Sequence, residues 1–150
     1  MVAVTIAFTA NAQVKGNGGY PITPVPFTSV KVVENSFWGQ RLEASRKVTI
    51  PLAFSKCEES GRYKNFQYAA HPSKDYDVNK IEPLSFDDTD PYKTIEGASY
   101  ILQTYPDKKL KAYIDSVLNI VAAAQEPDGY LYTARTINPE HPHAWSGKKR

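Results

Sequence analysis

The sequence predicts a mainly α fold, and three observations carry that expectation. A helix start at Asp90-Pro91 is followed by Tyr92, Ile95, Ser99, Leu102 and Tyr105 on one helical face. A Tyr105-Pro106-Asp107 corner then leads into a broad apolar stripe: Leu110, Tyr113, Ile114, Val117, Leu118, Val121 and Ala124. Upstream, a further helix runs from Trp38 to about Ser60, with Gly61 as its stop. An extended arm and one short strand precede these helices.

Composition bounds the partners. The 150 residues fall within the size of one domain. Lys and Arg number 18 against 16 Asp and Glu, a balance without the concentrated basic face that a nucleic-acid partner needs. Hydrophobic residues at 41% and aromatics at 12% exclude a wholly disordered chain. The single cysteine, Cys57, excludes an intrachain disulfide and a cysteine-cluster metal site. No apolar run approaches the roughly 18–20 residues that span a bilayer.

Taken in order, residues 1–12 (MVAVTIAFTANA) read as a signal peptide, uncharged from Val2 to Phe8 and ending in Ala10-Asn11-Ala12 before Gln13. A buried strand is the alternative for so short a β-branched run. The signal implies a secreted or periplasmic protein. Residues 13–27 form a polar linker (QVKGNGG) and a proline-rich arm (YPITPVPF), whose prolines keep it extended and outside any central sheet. Thr28–Val33 alternates enough for one short strand. Asn35 or Ser36 caps the first helix. Leu42, Ser45, Thr49, Leu52 and Ser55 mark its apolar face, and Pro51 predicts a kink or break.

Arg62–Ala70 has room for a short helical turn, and His71–Phe86 reads as a surface loop of a length often tied to function. The Asp90-Pro91 and Asp107 caps then frame a helical hairpin. Tyr130–Thr133 reads as a short extended segment and Ile137–Arg150 as loop-like. Three helices with wide stripes have too little partner surface within this chain, so residues 28–150 read as a fragment of a larger domain.

Several constellations bear on chemistry. Phe86-Asp87-Asp88-Thr89-Asp90 places three carboxylates just before a helix, suited to sugar hydroxyls or a hard cation; capping of the helix accounts for the same spacing. The calcium-loop pattern is not met, because Pro91 and Lys93 interrupt it. His71, His141 and His143 all fall in loops beside prolines and lack the ligand count of a metal site. Glu58 and Glu59 beside Cys57 discourage its thiolate, so it reads as inert. Tyr63, Tyr68, Tyr76, Tyr130, Tyr132 and Trp145 suit stacking on sugar rings, and core packing explains several of them equally well.

Three motifs in order then resemble one known family. They are Val25–Gly61 (VPFTSVKVVENSFWGQRLEASRKVTIPLAFSKCEESG), Phe86–Ala98 (FDDTDPYKTIEGA) and Ala123–Thr133 (AAQEPDGYLYT). Together they resemble the start of the catalytic domain of glycoside hydrolase family 127, the β-L-arabinofuranosidase family, from about Tyr20 onward. The resemblance implies a six-hairpin (α/α)6 barrel with β-rich domains after it. It also implies a retaining exo-glycosidase with a zinc-bound cysteine nucleophile and a glutamate acid/base. None of those residues carries over to this chain, and Cys57 does not match the nucleophile's motif. No catalytic residue, metal ligand or cofactor is therefore expected within residues 1–150, and zinc is expected only in the complete enzyme. The family's sugar-contacting glutamine after the Ile-Pro falls at Ala53, and Pro91 replaces a more usual aliphatic residue. The loops around Asp88–Lys93 would face the substrate cleft, which makes Asp88 and Asp90 the candidate substrate-binding residues.

The leading expectation is the N-terminal fragment of an exported glycosidase, inactive alone, whose complete form acts on terminal β-L-arabinofuranosyl or similar sugars. Its partner is a carbohydrate, with no nucleic acid and no membrane span. The alternative is a non-catalytic carbohydrate-binding or interaction module; an α/α-barrel lyase or epimerase stands behind both. Cooperative folding with sugar binding by residues 13–150 would favour the module. A reading frame continuing to a Glu and clustered Cys would favour the glycosidase.

Overall fold

A computed structural model describes residues 22–71, 76–77, 80–81 and 83–140. The expected signal at 1–12, the linker at 13–19, His141, His143 and Trp145 lie outside them. Two units are distinguished, Met1–Lys31 and Val32–Arg150.

In the first unit the expected strand is replaced by a 3-10 turn at Phe27–Ser29. The N–H of Ser29 donates to the Pro26 carbonyl at 2.9 Å and that of Val30 to Phe27 at 3.0 Å. Those donors are satisfied within the turn and are not available to a ladder. Residues 22–26 carry no regular secondary structure, and no strand occurs among the described residues.

The second unit is helical. Ser36 resolves the choice of cap: its Oγ accepts from the Gly39 N–H at 3.1 Å and donates to the Val33 carbonyl at 2.6 Å. Helix α1 then runs Phe37–Ala44. Gly39 is required by closeness, since a Cβ there would lie 2.2 Å from the carbonyl oxygens of both Val33 and Glu34. A π-helical turn, Ser45–Thr49, joins α1 to α2, Ile50–Glu59. Pro51 explains it: with no N–H and a ring that would strike the carbonyl four residues back, proline demands a wider turn. The N–H of Ile50 reaches five residues back, to Ser45.

That wider turn corrects the expected face. The extra residue rotates everything after it by about 100°. Ile50, Phe54 and Cys57 are buried, whereas Leu52, assigned to the core by an unbroken helical period, is 53% exposed. Gly61 ends the run in the left-handed region, φ +78°.

Helix α3, Arg62–Ala70, is a nine-residue element rather than a single turn. It packs against α2 and, further on, against α4, α5 and α6. Phe66 on α3 is fully buried, a burial that contributes roughly 2–3 kcal/mol. The described residues of 71–86 hold no α-helix or strand.

Helices α4, Thr89–Thr104, and α5, Lys108–Ala123, form the expected hairpin across the Pro106 corner. Asp107 caps α5, its Oδ1 accepting from Lys109 N–H at 2.8 Å and Leu110 N–H at 3.1 Å. The start of α4 differs from expectation. Thr89 is the first helical residue, so Asp90 lies in the first turn and is not the cap. Pro91 is the third helical residue, still among the N–H positions without an intrahelical partner, so it costs the helix nothing. The fully buried residues of α4 are Pro91, Ala98 and Ile101; of the expected face, Ile95, Leu102 and Tyr105 pack half-buried against that core, while Tyr92 is 36% exposed. On α5 the core side is Ile114, Val117 and Val121, and Leu118 turns outward. A short helix α6, Thr133–Ile137, bridges the end of the expected extended segment and the start of the expected loop. Its Ala134 and Ile137 are buried.

Candidate functional site

The turn before α4 and that helix's first turn hold three carboxylates, each with its own partners. Asp87 is buried. Its Oδ2 accepts from the Leu84 N–H at 3.0 Å and the Asn65 amide at 3.3 Å. Its Oδ1 lies 3.2 Å from Nη2 of Arg62. Asp88 is also buried, and both of its oxygens are taken by one residue. Thr133 donates its N–H to Oδ2 at 2.8 Å and its hydroxyl to Oδ1 at 2.6 Å. Asp90 is the half-buried member, with 41% of its side chain exposed. Its Oδ2 accepts from Arg62 Nε at 3.3 Å, and Lys93 Nζ stands 3.9 Å from its Oδ1.

Burial pushes the Asp88 carboxyl above the ordinary range, and the neighbouring Asp87 charge pushes the same way; the two bonds from Thr133 oppose them. The Tyr92 phenol is pushed up to about 12, by burial first and the Asp88 charge second. Removing a carboxylate from water costs several kcal/mol unless hydrogen bonds or a cation replace the lost hydration. Arg62, Asn65, the Leu84 N–H and Thr133 together supply that replacement.

Between α2 and α4 runs an open groove of about 580 Å³, lined among others by Ala53, Cys57, Arg62, Asp90, Lys93 and Thr94. Ala53 and Cys57 give it an apolar wall, while Asp90, Arg62, Lys93 and Thr94 supply acceptors and donors. Such a mixture suits a ligand rich in hydroxyl groups. Cys57 is a buried free thiol. Burial raises its pKa first and the Asp90 charge adds to that, so it remains protonated rather than a ready nucleophile. Burial, rather than the adjacent glutamates, is thus the main cause of the raised thiol pKa. Among the described residues no three His, Cys, Asp or Glu side chains converge to hold a metal ion.

The aromatic candidates separate. Tyr63 is buried in the core. Tyr68 and Tyr76 form a ring pair at 4.4 Å, and the Tyr76 hydroxyl donates to the Tyr68 carbonyl at 2.7 Å. Arg135 covers the Tyr130 ring at 4.2 Å. Tyr132 is half-buried and His71 is exposed. Sequence reasoning did not find Arg62, Asn65 or Thr133. Their separations from the acids, 22 to 45 residues, leave no local signal.

Residues 29–150 match the family model described as the β-L-arabinofuranosidase GH127 catalytic domain. A curated relative, the non-reducing end β-L-arabinofuranosidase of Bifidobacterium longum subsp. longum, is 48% identical over 59 residues, 39% of this chain and 9% of the relative. A solved GH127 β-arabinofuranosidase shares 78% identity with a TM-score of 0.77, covering 88% of this chain and 20% of that one. A GH127 β-L-arabinofuranosidase from Geobacillus stearothermophilus T6 shares 29% identity with a TM-score of 0.63, over 70% of this chain and 17% of that one. The chain therefore spans about a fifth or less of the length of these relatives.

Proposed function

Because the chain belongs to the GH127 catalytic-domain family, we propose that it is the opening part of an exported glycoside hydrolase that removes terminal β-L-arabinofuranosyl units or similar sugars. The match of residues 29–150 to that family carries the proposal. The exposed apolar residues of α1 and of the π-helical turn after it support it: Trp38 is 69% exposed and Val48 60%, a surface suited to further hairpins of the barrel.

On this reading the α2–α4 groove is one wall of the sugar-binding cleft. Asp90, with Arg62 fixing its carboxylate and Lys93 beside it, accepts hydrogen bonds from sugar hydroxyls. Asp88 is buried and held by Thr133. Ala53 occupies the groove with a methyl group and leaves the neighbouring space to the ligand. The family resemblance implies a zinc held by residues of the complete enzyme, and on this reading the present residues bind and orient the sugar. The family resemblance puts the acid/base and nucleophile outside residues 1–150, which supports inactivity of these residues alone, and the signal-like residues 1–12 support export.

The test is hydrolysis of an aryl β-L-arabinofuranoside by the complete polypeptide and by residues 13–150. Activity confined to the complete polypeptide supports the reading.

A further inference from the structure

The segment following α5 is stapled onto itself by Glu126. The Glu126 N–H donates to the Tyr130 carbonyl at 2.8 Å. Its carboxylate accepts from the Thr136 hydroxyl at 2.8 Å and pairs with Arg135. Gln125 donates to the Gly129 carbonyl at 2.8 Å. All of these bonds are internal to residues 125–136. The polar tie to the start of α4 is different in kind. It joins Asp88 to Thr133 across 45 residues, with both partners buried and both carboxylate oxygens engaged. Burial, with one Thr133 donor on each oxygen, keeps Asp88 from an approaching sugar hydroxyl, and loss of either bond would leave a buried group unsatisfied.

We propose that Asp88 is a positioning residue, whose carboxylate fixes the stapled 125–137 segment against the first turn of α4 and leaves Asp90 as the acid that meets the ligand. The tether thus makes one unit of the Asp88-Thr89-Asp90 and Asp128-Gly129-Tyr130-Leu131 motifs. Its effect on catalysis rests on the hydrolase reading above; the tether itself does not.

The test compares Asp88→Ala, Thr133→Val and Thr133→Ser in the complete polypeptide, by exchange of the Thr133 amide and by hydrolysis of an aryl β-L-arabinofuranoside. Asp88→Ala should speed Thr133 exchange at least about tenfold, the scale of a lost bond to a charged acceptor, while the α5 amides keep their protection. Thr133→Val should lower turnover in the same direction as Asp88→Ala, the double variant should lose no more than the worse single one, and Thr133→Ser should behave as wild type. The proposal is overturned if Asp88→Ala lowers turnover while Thr133→Val leaves turnover and exchange unchanged, because Asp88 would then act on the sugar. It is equally overturned if Thr133 exchange ignores both variants. A protected Thr133 in a wild type that cleaves no arabinofuranoside would sink the hydrolase reading and leave the tether standing.

Discussion

Arg62 Nη2 lies 3.2 Å from Oδ1 of Asp87, and this pair joins the start of α3 to the turn before α4. The carboxylate is buried and the guanidinium mostly so. Removing the cation would strand a desolvated charge that Asn65 and the Leu84 N–H satisfy only on its other oxygen. Arg62→Met should therefore destabilise the fold by about 3 kcal/mol, read as a lowered Tm of the complete polypeptide. Adding Asp87→Asn should restore part of that loss. An unchanged Tm in the single variant would show that water, not Arg62, solvates Asp87.

Gly39 admits no side chain. A methyl group there meets two backbone oxygens at 2.2 Å, and neither can swing aside as a side-chain end would. Gly39→Ala should cost about 1–3 kcal/mol and disturb the Ser36 cap of α1. A Tm equal to wild type, with the Gly39 amide of the parent unprotected from exchange, would contradict the turn as described.

Burial of Asp88 predicts a pH dependence and its sign. Its folded carboxyl holds its proton more tightly than the unfolded one, chiefly through burial. Its favourable contribution is fully present below the unfolded carboxyl range near pH ~4 and is lost as pH rises through the folded value. Asp88→Asn cannot ionise, so wild type should lose Tm relative to that variant as pH rises above about 4. Parallel Tm curves across that range would remove Asp88 as the source.

Much of the helical architecture was legible because its signals are local. Asp107 caps α5, Pro106 turns the hairpin and Gly61 ends α2, each through backbone chemistry confined to a few residues. The faces were less legible. One extra residue in the π-helical turn before Pro51 moved the core from Leu52 to Ile50, Phe54 and Cys57, and a 3.6-residue period cannot register that insertion. The expected strand failed because Phe27–Ser29 satisfies its own donors. In the site, the acids were visible and their partners were not. Arg62 and Thr133 reach Asp87 and Asp88 only after α3 and α6 have packed, and nothing in the neighbouring sequence announces either contact.

Sugar release measures the central claim most directly. The complete polypeptide, given an aryl β-L-arabinofuranoside, should liberate arabinose, Asp90→Asn should weaken substrate binding, and residues 13–150 alone should release nothing. Arabinose released by residues 13–150 alone, or a complete polypeptide that leaves the arabinofuranoside intact, would contradict it.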